Sequence, residues 1–102
     1  MSKSGYMIFQ QESPDVAAAF NKLIETIAKP SALETKTKQL LYIAMKIVTD
    51  DVGAALMHVS FAKKAGASRE ELRETVLLTL TVAGLKGINT ALSDVLEAYD
   101  NA

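Results

Sequence analysis

From position 72 to 83 the chain reads Leu-Arg-Glu-Thr-Val-Leu-Leu-Thr-Leu-Thr-Val-Ala, and this stretch constrains the fold more than any other. At helical spacing Leu72, Val76, Leu77, Leu78, Leu80, Val82 and Ala83 cover most of the circumference, with only threonines between them after Glu74. A helix apolar nearly all round must be covered on nearly all sides. A chain of 102 residues has little interior in which to hide one. The expectation is therefore a homo-oligomer, in which other subunits supply the missing cover.

The remaining pattern is helical as well. Ser13-Pro14-Asp15 is a helix start: Ser13 caps, Pro14 fits the first helical position, and Asp15 suits the positive end of the dipole. Val16, Phe20, Leu23, Ile24 and Ile27 follow at helical spacing until Pro30 stops the run. A second helix is expected from Glu34 or Thr35, with Leu40, Leu41, Ile43, Ala44, Ile47 and Val48 inward and Lys36, Lys38 and Lys46 mostly on the other side. Asp50 is the expected cap of a third helix ending at Ala65, with Gly66 as the left-handed residue beyond it. Ser68 and Glu71 form a capping box for the fourth helix, and after Gly84 and Gly87 a fifth starts near Ile88. The fold class is thus all-α, five helices in a single domain spanning 1–102. Residues 1–32 contribute only a helix with an apolar stripe.

Composition narrows the function. Eleven Lys plus Arg against twelve Asp plus Glu leave a formal net charge of −1, with no basic footprint for nucleic acid and no polybasic segment for a membrane surface. With no cysteine, the chain has no disulfide, thiolate metal site or thiol redox chemistry of its own. The longest apolar run, 75–85, is far short of the ~20 residues that span a bilayer, and the stretch before Glu12 is too short for a signal peptide. A cytoplasmic protein is expected, with neither metal nor cofactor. Its one histidine, His58, is the candidate for proton transfer near neutral pH. Ala54, Ala55, Ala62 and Ala65 lie on or beside its helical face, and so small a face admits either close helix packing or a small pocket.

The segment 33–100 resembles the carboxymuconolactone decarboxylase family, whose other branch is the alkylhydroperoxidase D-like proteins. The resemblance is carried by Lys36-Thr37-Lys38-Gln39-Leu40-Leu41-Tyr42-Ile43-Ala44, by His58, and by Ala65-Gly66-Ala67-Ser68-Arg69-Glu70-Glu71 with Glu74 following. Ala83-Gly84-Leu85 and Asn89-Thr90-Ala91-Leu92 complete it. It implies a compact five-helix alkylhydroperoxidase D-like domain that assembles into trimers, hexamers or larger rings. It also implies a site at His58, with Gln39 where the peroxidase branch has a proton-relay glutamate. In that branch two cysteines precede the histidine by seven and four residues, and here those positions are Asp51 and Ala54. Thiol-dependent peroxide reduction needs a thiolate to attack the O–O bond and a second thiol to resolve the sulfenic acid, and this chain has neither. The decarboxylase branch needs no cysteine, yet it carries a carboxylic residue at the Ala54 position and a proline at the Lys86 position.

Two readings follow. In one, a cofactor-free enzyme uses His58 to move a proton on a small carboxylated or lactone-like substrate. Gln39, Asp51 and Ala54 would be its substrate-binding positions, and Lys86 or a lysine of the second helix would attract the carboxylate. In the other, the same scaffold is a non-catalytic oligomer that binds a small organic acid or a partner protein.

Overall fold

Ser4 caps the first helix, its Oγ accepting from the Met7 amide at 3.2 Å. The computed structural model describes residues 4–102, and every regular element among the described residues is helical. Contacts divide the chain into two units, one ending at Pro30 and the other running over Ser31–Ala102.

The first unit is a hairpin of α1 (Gly5–Glu12) and α2 (Pro14–Ala28). Helix α1 was not expected from the sequence. Ser13 alone separates the two helices: its amide donates to the Phe9 carbonyl and closes α1, and Pro14 opens α2. Ser13 occupies the expected cap position but makes no capping bond through its side chain. Phe9 joins the pair, edge-on to both Tyr6 and Phe20, while the Tyr6 hydroxyl donates to Asn21 Oδ1. Lys29 is extended, as the residue before a proline prefers, and ends α2. The predicted apolar positions Val16, Phe20, Leu23, Ile24 and Ile27 are all exposed.

The second unit holds the other predicted helices: α3 (Thr35–Val48), α4 (Val52–Lys64), α5 (Arg69–Leu78), α6 (Leu80–Ala83) and α7 (Ser93–Asn101). Its core joins Ile43 and Ile47 of α3, Ala55, Val59 and Ala62 of α4, Leu72 and Val76 of α5, and Val95 of α7. The small face of α4 is thus largely used for packing, since Ala55 and Ala62 are fully buried. Ala54 and Ala65 are half-buried. The inner face of α3 is narrower than predicted, because Leu41 lies exposed and the core takes Leu40, Ile43 and Ile47.

Three further differences have local causes. Asp50 is not the cap of α4; Asp51 is, with its carboxylate accepting from the Ala54 amide at 3.3 Å. Asp50 instead sits at φ 66° and terminates α3 in a Schellman motif, its amide donating to Ile47 and that of Asp51 to Lys46. Gly66, at φ 101°, ends α4 in the same manner, as expected. The fourth predicted helix is broken at Thr79, where the bonds tighten to Thr79 amide–Val76 carbonyl and Val82 amide–Thr79 carbonyl. The fifth begins as a π-helical turn, Ile88–Leu92, before α7. The capping box of Ser68 and Glu71 forms as predicted.

Polar contacts lock α7 in place. Arg69 makes a forked pair with Asp100 at 2.9 and 3.3 Å, and the Tyr99 hydroxyl donates to the Ala67 carbonyl. Lys63 lies over the Tyr99 ring and donates to its carbonyl at 2.9 Å, so it is a helix clamp rather than a solvated charge.

Candidate functional site

Helix spacing puts Gln39, Tyr42 and Lys46 on one face of α3, and α4 lays His58 against that face. His58 Nδ1 is 2.8 Å from Gln39 Oε1. The carbonyl oxygen of an amide only accepts, so Nδ1 carries the proton and the lone pair resides on Nε2. The imidazole stacks on Tyr42 with ring centroids 4.0 Å apart, and Phe61, one turn along α4, meets it edge-on at 5.1 Å. Among the described residues no buried side-chain nitrogen or oxygen lacks a partner, so Nε2, which no hydrogen bond reaches, is not shut off from solvent.

The charge that acts on the ring is the Lys46 ammonium. Lys46 Nζ lies 5.6 Å from the Tyr42 ring centre and 3.3 Å from Asp51 Oδ2. Burial of the imidazole, and after it the Lys46 ammonium, push the His58 pKa below its usual 6.5. The neutral base is therefore the resting form at neutral pH.

Of the predicted site residues, the structure brings Gln39 into direct contact with His58. Asp51 is joined to the group through Lys46, and its other oxygen caps α4. Ala54 packs beside that cap. Lys86, predicted as a carboxylate anchor, pairs instead with Asp50 at 2.6 Å, and Lys36 pairs with Glu71 at 3.2 Å. Helical spacing alone puts Phe61 on or near the face of His58 and leaves Tyr42 as a packing residue that could donate into a pocket, but it gives neither a ring contact with the imidazole and places Lys46 mostly on the outer side of the helix. The signal was present: from Gln39, positions 42 and 46 continue one helical stripe. No group of three or more His, Asp or Glu side chains gathers among the described residues to hold a metal ion. Among those residues, too, no helix is long and apolar enough to cross a membrane.

A groove of about 340 Å³ runs between α3 and α5, lined by Lys36, Leu40, Leu41, Ala44, Glu71 and Leu78 among others. An adjoining one of about 300 Å³ shares Ala44 and Leu78 and extends to Met45 and Val82. His58 lines neither. Both are open and mostly apolar, a shape suited to a packed helix rather than to an enclosed substrate.

Comparison with known proteins agrees with this architecture. The family model described as the carboxymuconolactone decarboxylase family matches residues 14–97. No curated protein sequence matches. Among solved structures, the chain is similar to an apo carboxymuconolactone decarboxylase family protein from Legionella pneumophila, at 28% identity and a TM-score of 0.82. The likeness covers 93% of this chain and 84% of that one.

Proposed function

We propose that this chain, which belongs to the carboxymuconolactone decarboxylase family, is a cofactor-free enzyme in which His58 transfers a proton on a small carboxylated, lactone-like substrate. The observation that carries the reading is the Gln39–His58 bond, which orients the ring and leaves Nε2 open. In decarboxylation the bond between the substrate carbon and its carboxylate breaks, and carbon dioxide leaves. The electron pair passes into the conjugated lactone. His58, having taken up a solvent proton at Nε2 to form the imidazolium, then delivers that proton to carbon and returns to its neutral resting form. Nδ1–H stays on Gln39 Oε1 in both charge states, so no tautomer change accompanies turnover. A lowered pKa makes the imidazolium, once formed, a stronger proton donor. Thiol-dependent peroxide reduction is not open to a chain without cysteine.

The working form in this reading is a homo-oligomer, a trimer or hexamer. Its support is the apolar surface of α5 and α6, where Leu78 is 65% and Val82 77% exposed in the single chain.

Release of carbon dioxide from carboxymuconolactone tests the activity. His58→Asn lowers turnover about 10²-fold or more with the assembly intact, the usual scale for general acid–base catalysis. Full activity in that variant would make His58 structural. Absence of turnover in the wild-type protein favours the second reading, a non-catalytic oligomer that binds a small organic acid or a partner on the same scaffold.

A further inference from the structure

Lys46 differs from the other paired lysines of the second unit in where its pairing puts it. Lys36 answers Glu71 across α3 and α5, Lys63 clamps α7, and Lys86 holds Asp50. Lys46 instead stands at the end of the stripe that carries Gln39 and Tyr42, its Nζ 5.6 Å from the centre of the same Tyr42 ring on which the imidazole of the only histidine stacks. Its partner is a carboxylate in a replaceable position: the Lys46–Asp51 pair is 3.3 Å long and solvent reaches both side chains. Asp51 needs only one oxygen to cap α4, and that oxygen is not the one facing Lys46.

We propose that Lys46 is the carboxylate-binding residue of the His58 site, and that Asp51 occupies the anion position until a small organic carboxylate displaces it. The inference rests on the proposed function for its substrate class, and it assigns the recognition of that class to one side chain. An ammonium held on a helix beside an aromatic face supplies a charge-assisted bond to the incoming carboxylate. The rest of the ligand then lies against Tyr42 and reaches the Nε2 side of the imidazole. Asp51 gives up only its bond to Lys46 and keeps the one from the Ala54 amide.

Because the protein has one histidine, the His58 Cε1 proton is an isolated magnetic-resonance reporter of the site. Benzoate is the probe, and benzamide is its uncharged match in shape. Benzoate is expected to shift that resonance saturably and benzamide to leave it in place. Lys46→Met should weaken benzoate binding at least about tenfold, the scale of a lost charge-assisted bond, while Lys46→Arg keeps most of it. Asp51→Asn should tighten it, since asparagine caps a helix as well as aspartate but does not compete for the ammonium. Equal affinity in the wild type and Lys46→Met, an equal response to benzamide, or weaker binding in Asp51→Asn would each overturn the inference. The readout is independent of turnover. Benzoate binding that ignores Lys46, alongside lost decarboxylation in His58→Asn, sinks the anchor and spares the proton-transfer reading; Lys46-dependent binding with full turnover in His58→Asn does the reverse.

Discussion

Nδ1 of His58 and Oε1 of Gln39 meet at 2.8 Å across the seam between α4 and α3, and the partner is an amide rather than a carboxylate. An amide fixes the ring without lending it negative charge, so nothing at Nδ1 opposes the effects of burial and Lys46 on its pKa. Gln39→Glu places a carboxylate at the same distance and should move the His58 titration midpoint above that of the wild type. Gln39→Leu, which removes the acceptor, should not raise it. Following the Cε1 proton through a pH titration decides the matter, and a midpoint in Gln39→Glu at or below the wild-type value would contradict the geometry.

The lowered pKa of His58 has a consequence for stability. The folded protein takes up this proton less readily than the unfolded chain does. Its contribution is therefore complete above about pH 6.5 and is lost as the pH falls from there through the lowered folded value. Two carboxylates shift in the same direction: Glu71 through its bond from the Ser68 amide and then Lys36, and Asp100 through its bond from Arg69. Their contributions are complete above their ordinary values of 4.5 and 3.8 and disappear only in more acid solution. Between about pH 6.5 and 4.5 the loss belongs to His58. Urea denaturation at pH 7.5 and 5.0 should show a larger loss for the wild type than for His58→Asn, whereas equal losses would remove His58 as the cause.

Gly87 tests the packing under the broken helix. Its backbone is helical, at φ −65° and ψ −35°, so alanine would suit its conformation. A Cβ there would nevertheless lie 2.5 Å from Thr79 Oγ1 and 2.9 Å from Ile47 Cγ2. Helix propensity favours alanine by up to about 1 kcal/mol, and overpacking a tight site opposes it by about 1–3 kcal/mol. Gly87→Ala should therefore destabilise the protein. Combined with Thr79→Ala, which removes the nearer atom, it should cost less than the two single changes together. A denaturation midpoint for Gly87→Ala at or above wild type would show that the neighbours yield without strain.

That contact also explains what the sequence could not reveal. Apart from α1, the helices were legible from apolar spacing, and the capping box at Ser68 and the stop at Gly66 from local chemistry alone. The break at Thr79 was not, and neither was the close approach of Gly87, eight residues on, to the Thr79 side chain, since only the fold brings the two together. Asp50 and Asp51 are equally good caps on paper. Only the left-handed turn at Asp50, a place usually given to glycine, selects Asp51 as the cap. At the site, His58 stood out as the lone histidine, and Gln39 through the family resemblance. Tyr42 and Lys46 became visible once the partner of Gln39 was known, since one contact sets the rotation of the whole stripe.

Assembly is the remaining prediction, and it rests on α5 and α6. Leu77 and Leu80 are a little over one-third exposed, while Leu78 and Val82 are mostly exposed, on a face that continues to Met45 of α3 through the shared groove. Leaving that much clustered aliphatic surface in water is unfavourable by roughly 25 cal/mol for each Å², so burial against further copies is the expected outcome. Light scattering at micromolar concentration should give a trimer or a hexamer, and a particle of 11.0 kDa would overturn the assembly. Leu77→Asp or Leu80→Asp should dissociate the subunits or prevent folding, because both side chains are partly shielded already. Leu78→Asp and Val82→Asp separate those two outcomes. Their side chains stand clear of the core, so the chain should still fold, with a helical circular-dichroism spectrum like the wild type, and the mass should fall. An unchanged mass in both of these variants would place the interface on another face.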